Sequence, residues 1–128
     1  MRLLLDTHAF LWFALNDPKL SMPAENAIRW PGNIVFISPA SYWEIAIKAS
    51  AGKYKLNVPY EKFWRGAIDT NRFEVLPIDL RHTSQLVSLP FHHKDPFDRL
   101  LVATALADNL QLVSSDATLD AYGINRIW

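Results

Sequence analysis

Four acidic residues of this 128-residue sequence lie just after predicted strands or near the start of predicted helices. Asp6 and Asp116 each follow an apolar run typical of a buried strand. Glu44 lies in the first turns of one predicted helix, and Asp98 lies in the first turn of another. Strand carboxyl ends and helix amino ends share one edge of a parallel α/β sheet. We therefore expect three of these side chains to converge, and Asp98 joins them if its helix enters from that edge as a crossover.

Such a cluster is a site of oxygen donors. The sequence has no cysteine, which excludes disulfide bonds and thiolate metal sites, and no two histidines are spaced i, i+4. Carboxylates alone suit Mg²⁺ or Mn²⁺ better than zinc. Without a cation the acids would repel one another, and some would take up protons. The expected chemistry is metal-assisted hydrolysis, in which divalent ions activate water and shield a phosphodiester.

Each acid also has a purely structural explanation. Asp6 can cap the helix that follows it, and Asp116 can begin a turn. Glu44 can be an exposed helix acid, but its segment is apolar nearly all round, so a charge there needs a partner. Asp95 and Asp98 together form an acidic variant of the capping box. We assign the cap to Asp95 and the metal to Asp98.

Basic side chains near these acids have two possible roles. Lys48 follows Glu44 by one helical turn, and it can pair with that acid or face a substrate phosphate. Arg99 can likewise pair with a neighbouring acid or contact phosphate. Three histidines near the acids are predicted to be structural or solvated rather than ligands: His8, His92 and His93.

The elements that must position these residues alternate between strand and helix. This order predicts a single α/β domain over 1–128, with a central, mostly parallel sheet of four to five strands and helices on both faces. Strands are predicted over 3–5, 34–37, 73–78, 110–113 and 123–128. Helices are predicted over 9–15, 21–30, 38–50, 60–68, 80–89 and 96–107.

Composition narrows the possible partners and the compartment. The 13 basic and 13 acidic residues balance, so there is no electrostatic footprint of a non-specific nucleic-acid binder. A nucleic acid would therefore have to bind at a local rim of basic residues, formed by Lys48, Lys53, Lys55, Lys94 and Arg99. The apolar start is too short for a signal peptide, and no apolar run is long enough to cross a membrane. We expect a cytoplasmic protein that does not contact a membrane.

Four segments together resemble the PIN-domain family, and within it the VapC-type toxins of type II toxin–antitoxin pairs. No single segment is specific, but they cover the chain in order and at matching spacing. They are Leu4-Leu5-Asp6-Thr7-His8, Ser41-Tyr42-Trp43-Glu44-Ile45-Ala46-Ile47-Lys48, Asp95-Pro96-Phe97-Asp98-Arg99-Leu100-Leu101-Val102-Ala103 and Leu112-Val113-Ser114-Ser115-Asp116.

The resemblance implies an endoribonuclease that uses Mg²⁺ or Mn²⁺ to hydrolyse RNA. It places the acidic quartet of the family, which holds the metal and carries out catalysis, on Asp6, Glu44, Asp98 and Asp116. It also suggests Thr7 and Ser115 as supporting hydroxyls. A homodimer and an inhibiting VapB-type antitoxin are implied as partners. The alternative is a catalytically idle PIN-like module that serves only protein contacts.

Overall fold

The computed structural model describes all residues from Met1 to Trp128 and contains one five-stranded parallel sheet in the order β3-β2-β1-β4-β5. The strands are β1 (Arg2–Leu5), β2 (Ile34–Ile37), β3 (Glu74–Val75), β4 (Gln111–Val113) and β5 (Arg126–Ile127). The helices are α1 (Thr7–Ala14), α2 (Met22–Arg29), α3 (Pro39–Ser50), α4 (Tyr60–Asn71), α5 (Leu80–Val87) and α6 (Pro96–Asp108). The predicted α/β architecture is therefore confirmed.

Strand β1 is the centre of the sheet and is covered on both faces. Its leucines alternate between two buried clusters: Leu3 and Leu5 pack with Phe10 of α1, whereas Leu4 packs with Leu101 of α6. This arrangement explains why the strand is a continuous apolar run rather than an alternating one. No helix of the structure is long and apolar enough to cross a membrane.

The outer strands differ from the predicted ranges. Strand β3 has only two residues, because Leu76 still donates to Ile37 (2.9 Å) but Pro77 has no N–H with which to continue the ladder. Strand β5 is also limited to two residues. In the connection from β4 to β5, Ala117–Tyr122 form a 3₁₀ helix, which is not among the predicted helices.

Helix α6 is the crossover that the site requires. It ends at Asp108, and β4 begins three residues later at Gln111, so the carboxyl end of α6 lies at the amino end of the strands. Arg2, at the amino end of β1, donates to the Asp108 carbonyl at 3.2 Å. The amino end of α6, with Asp98 in its first turn, consequently lies at the carboxyl edge of the sheet.

Candidate metal centre

Asp6 caps helix α1 and is also buried at the edge of the sheet. It is the N-cap of α1, where its Oδ1 accepts a hydrogen bond from the Ala9 N–H at 2.7 Å. The side chain is buried at the end of β1. Burial raises the pKa of Asp6, although hydrogen bonds from Ser114 and Ala9 partly oppose that effect. The carboxyl group is thus held rigidly at the edge of the sheet, in a position where it is costly to ionise without a cation.

Glu44 comes from α3, whose start is set by Ser38 as N-cap and Pro39 at the first helical position. The carboxylate is buried, and Lys48 Nζ donates to its Oε2 at 2.9 Å, so the predicted ion pair is present. Its other oxygen, Oε1, is buried without a hydrogen-bond partner. A carboxylate oxygen in that state carries an unsatisfied desolvation cost.

A buried hydroxyl pair aligns the helices that carry Asp6 and Glu44. Thr7 Oγ1 lies 2.9 Å from Ser41 Oγ, and both residues are buried. Thr7 follows Asp6 directly, and Ser41 precedes Glu44 by three residues. The predicted supporting hydroxyl of Thr7 therefore connects α1 to α3 rather than pointing toward solvent.

Asp98 faces the other acids from the first turn of α6. Asp95 caps this helix as predicted, accepting from the N–H groups of Phe97 (2.8 Å) and Asp98 (3.0 Å). The pKa of Asp98 is raised to about 7, mainly by burial and then by the negative charges of Asp95, Asp6 and Glu44. These repulsions indicate that the carboxylates of Asp6, Glu44 and Asp98 lie near one another at this edge of the sheet.

Asp116 reaches the same site through His93. His93 Nε2 lies 2.9 Å from Asp116 Oδ2 and 3.7 Å from Asp98 Oδ2, and one ligand-type atom of each residue lies within 4.8 Å of the others. Although its partial burial acts in the opposite direction, hydrogen bonds from Thr118 and His93 lower the pKa of Asp116. The pKa of Asp116 is therefore shifted in the direction opposite to those of Asp6 and Asp98.

The hydrogen bonds of His93 identify it as a donor to the carboxylates rather than a metal ligand. Its Nδ1 accepts from the Asp95 N–H at 3.1 Å, so the proton of the neutral ring is on Nε2 and is donated to Asp116. The Tyr122 hydroxyl further holds the backbone of His93 at 2.9 Å. The sequence indicated no such role, because the contact joins segments separated by more than twenty residues.

Ser115, one of the proposed supporting residues, does not lie where it was expected. Ser115 is exposed, whereas the preceding Ser114 is buried, contacts Asp6 and accepts from the Asp116 N–H at 3.1 Å. Ser114, rather than Ser115, is thus the hydroxyl that supports the acids, although β4 ends at Val113 as predicted.

Arg99 is part of the fold and does not contact the acids. Its buried guanidinium donates to the carbonyls of Pro90 (2.7 Å) and Leu89 (3.2 Å) and to the Tyr122 hydroxyl (3.2 Å), and it lies 3.9 Å from the Phe91 ring centre. Neither predicted role, pairing with an acid or contacting phosphate, matches these contacts. In the predicted basic rim, Lys53, Lys55 and Lys94 are exposed.

The donor set fits a hard divalent cation. Lys48 pairs with one oxygen of Glu44, but the other oxygen, Oε1, is buried without a hydrogen-bond partner. The neighbouring negative charges also contribute to raising the pKa of Asp98 to about 7. A divalent cation would satisfy the oxygen and reverse the repulsion. The residues that would hold it are Asp6, Glu44 and Asp98, with Asp116 completing the set.

Comparison with known proteins agrees with this geometry. The profile of the PIN domain matches residues 3–125, a range that contains all four carboxylates. The chain belongs to the PIN-domain family. Ribonuclease VapC22 of Mycobacterium tuberculosis is 28% identical to this PIN domain over 120 residues, which are 93% of this chain and 90% of that protein. The resemblance stated from the sequence is thereby confirmed.

Solved structures share the fold of this PIN domain. The structure of VapBC2 from Rickettsia felis, bound to a DNA fragment from their promoter, superposes with a TM-score of 0.72 at 17% identity over 100% of both chains. The structure of VapBC-1 from nontypeable Haemophilus influenzae superposes with a TM-score of 0.70 at 20% identity, over 98% of this chain and 96% of that one. At these identities the likeness concerns the fold.

Proposed function

We propose that this PIN domain is an endoribonuclease that requires Mg²⁺ or Mn²⁺ and hydrolyses RNA phosphodiester bonds. The observation that carries the proposal is the buried, unpaired oxygen of Glu44 beside Asp98, whose pKa is about 7. A site built in this way is stabilised by binding a divalent cation. The name of the M. tuberculosis relative, a ribonuclease, supports RNA as the substrate.

The residues of the chain divide the work at this site. Asp6, Glu44 and Asp98 would hold a cation, and Asp116 would complete the first site or help to hold a second. When bound, the cation supplies Lewis-acid chemistry: it lowers the pKa of water and shields phosphate charge. His93 donates to Asp116 and so orients that carboxylate.

Lys48 is the residue best placed to contact a substrate phosphate. Its Nζ donates to Glu44 Oε2 at 2.9 Å, and its side chain remains 29% exposed. The ammonium group therefore stands at the boundary between the buried carboxylates and solvent. The ion pair and the phosphate contact, considered as alternatives from the sequence, are compatible in this position, because a lysine ammonium has three donors.

We further propose that the protein is the toxin of a toxin–antitoxin pair, with a VapB-type antitoxin as inhibitor, and that it acts as a homodimer. The structural neighbours, which are named VapBC, support the antitoxin partner. The homodimer is an implication of the family resemblance. A catalytically idle module is less well supported, because such a protein has no need to keep a buried Glu44 oxygen without a hydrogen-bond partner among other carboxylates.

The test is cleavage of total small RNA by the purified protein with Mn²⁺, with Mg²⁺ and with a chelator. We expect cleavage only with the metals, and a loss of more than about 100-fold in Asp98→Asn, since even residues that merely support metal ligands contribute about 10- to 100-fold. Asp69→Asn is the matched control, because Asp69 is an exposed acid on α4. An Asp98→Asn protein that cut RNA at the wild-type rate would contradict the assignment.

A further inference from the structure

A row of aromatic side chains, here called the aromatic ledge, continues outward from the carboxylates. Its members are Tyr54, His8, Trp12 and Trp128. The Tyr54 hydroxyl lies 3.2 Å from His8 Nε2, within hydrogen-bond distance. The ring centres of His8 and Trp12 are 5.5 Å apart, and those of Trp12 and Trp128 are 5.7 Å apart. The four rings thus form a continuous series of neighbours.

The ledge begins at the candidate metal centre. His8 is two residues after Asp6, in the first turn of α1. On the other side, Lys48 Nζ lies 2.9 Å from the carboxylate of Glu44 and 3.5 Å from the Tyr54 hydroxyl. A polymer with one phosphate at the carboxylates would therefore place its neighbouring unit over Tyr54 and His8.

The rings are fixed in place but not enclosed. Tyr54 and Trp128 rest against the main buried cluster, yet both remain partly exposed, as does Trp12, and His8 is exposed. The aromatic core is a separate set in which Phe10 stacks on Trp64 at 4.1 Å. The ledge is consequently a firm surface open to a ligand, and filling the interior does not account for it.

Cations flank these rings. Lys48 Nζ lies 5.5 Å from the centre of the Tyr54 ring, and Lys19 Nζ lies 5.9 Å from the centre of the Trp12 ring. Partly exposed aromatic rings beside lysines match the chemistry of single-stranded nucleic acid, whose bases stack on rings while its phosphates contact cations. Bases in a duplex have their faces covered and could not stack there.

We propose that the aromatic ledge binds an unpaired base of the RNA, next to the phosphate held at the carboxylates. The inference rests on the proposed ribonuclease function and adds to it a surface that holds the base beside the cleaved phosphate. It also explains how a chain with no net charge holds RNA: stacking at the ledge supplies affinity that a basic surface would otherwise provide.

The first test measures binding without cleavage, in the presence of a chelator. The probes are a labelled oligouridylate of about eight nucleotides, within the usual range of single-stranded sites, and an abasic ribose-phosphate oligomer of equal length. We expect the wild type to bind the oligouridylate roughly 5- to 150-fold more tightly than the abasic oligomer. Repulsion by the carboxylates affects both probes equally, so the ratio of the two Kd values measures the contribution of the bases to binding.

Substitutions in the aromatic ledge test whether the ledge causes the difference between the two Kd values. His8→Ala removes an exposed ring and is the main variant, and Trp12→Ala is the second, with its fold checked by thermal unfolding. Both should lower the ratio toward one. Trp30→Ala is the matched control and should keep the ratio, because Trp30 is 64% exposed at the opposite, amino edge of the sheet, where its carbonyl accepts from the Asn33 N–H at 3.0 Å.

A cleavage assay separates this inference from the proposed function. If the wild type cuts RNA, His8→Ala should raise KM and leave kcat nearly unchanged. If the protein cuts RNA but His8→Ala and Trp12→Ala do not alter the Kd ratio, the proposal that the ledge binds a base is refuted. The proposed ribonuclease function is then unaffected. A ratio that both variants abolish, in a protein that cuts no RNA, would support the ledge and refute the nuclease.

Discussion

Replacing Asp98 by Asn should stabilise the metal-free protein at alkaline pH. In the folded chain the pKa of Asp98 is raised from 3.8 to about 7, first by burial and then by the charges of Asp95, Asp6 and Glu44. The folded state therefore keeps a proton that the unfolded chain has already lost. Stability falls as the pH rises from about 4, and the loss is complete above about 7. Asparagine has a similar shape and no charge, so it removes this loss.

The structure sets the size of the effect. A shift from 3.8 to about 7 corresponds to an upper limit of about 4 kcal/mol, at about 1.4 kcal/mol per unit. The Asp98 side chain is 24% exposed, so solvent screens part of that cost. We expect a gain of roughly 2 kcal/mol at pH ~8, equivalent to an increase in Tm of about 5–10 °C. The gain at pH ~5 should be less than half as large, because the folded protein still keeps the Asp98 proton there, whereas the unfolded chain has mostly lost it.

The assay is thermal or urea unfolding in chelator at both pH values, with Asp69→Asn as the control for loss of an acid. Adding Mg²⁺ or Mn²⁺ at the higher pH should stabilise the wild type more than Asp98→Asn, because the cation relieves the same repulsion. A gain of equal size at both pH values would refute the electrostatic reasoning. Destabilisation of Asp98→Asn at the higher pH in chelator would refute it as well.

Two further predictions concern residues around the site. Arg99→Met should destabilise the fold by about 2 kcal/mol, because the buried Leu89 carbonyl and the Pro90 carbonyl lose their donor. Urea unfolding measures this cost, and an unchanged cleavage rate of the folded variant would confirm that Arg99 does not contact the substrate. Asp95→Asn should retain the cap of α6 within about 0.5 kcal/mol while lowering the pKa of Asp98, because one of the neighbouring charges disappears. An NMR titration of Asp98 in chelator checks the second result, which fails if the pKa is unchanged.

The sequence was sufficient for the fold and for the elements that carry the acids. Apolar runs without alternation identified β1, β2 and β4, and helical spacing identified α3 and α6. These signals are local, since each is a pattern within one segment. The rule that strand carboxyl ends and helix amino ends share an edge predicted that Asp6, Glu44 and Asp116 converge, and Asp98 joined them through the expected crossover of α6. The effect of Asp6 and Glu44 on the pKa of Asp98 agrees with that step.

What the sequence did not indicate are contacts between distant segments. His93 meets Asp116, and Ser114 meets Asp6, only because β4 pairs with β1 and the chain before α6 folds back over the edge. Arg99 follows Asp98 directly but points to the other side of the helix, where carbonyls and Tyr122 take its donors. Residue type alone cannot distinguish such a buried arginine from one that faces phosphate.

The pairing of β1 with both β2 and β4 has a consequence for synthesis on the ribosome. The strand at the centre of the sheet is made before the other four strands, and its second neighbour, β4, follows β2 and β3 in the chain. Until β4 emerges, one edge of β1 is open, and neither Asp116 nor Ser114 can reach Asp6. The carboxylate cluster is therefore completed only after β4 has been made, and a nascent chain that lacks β4 cannot hold it.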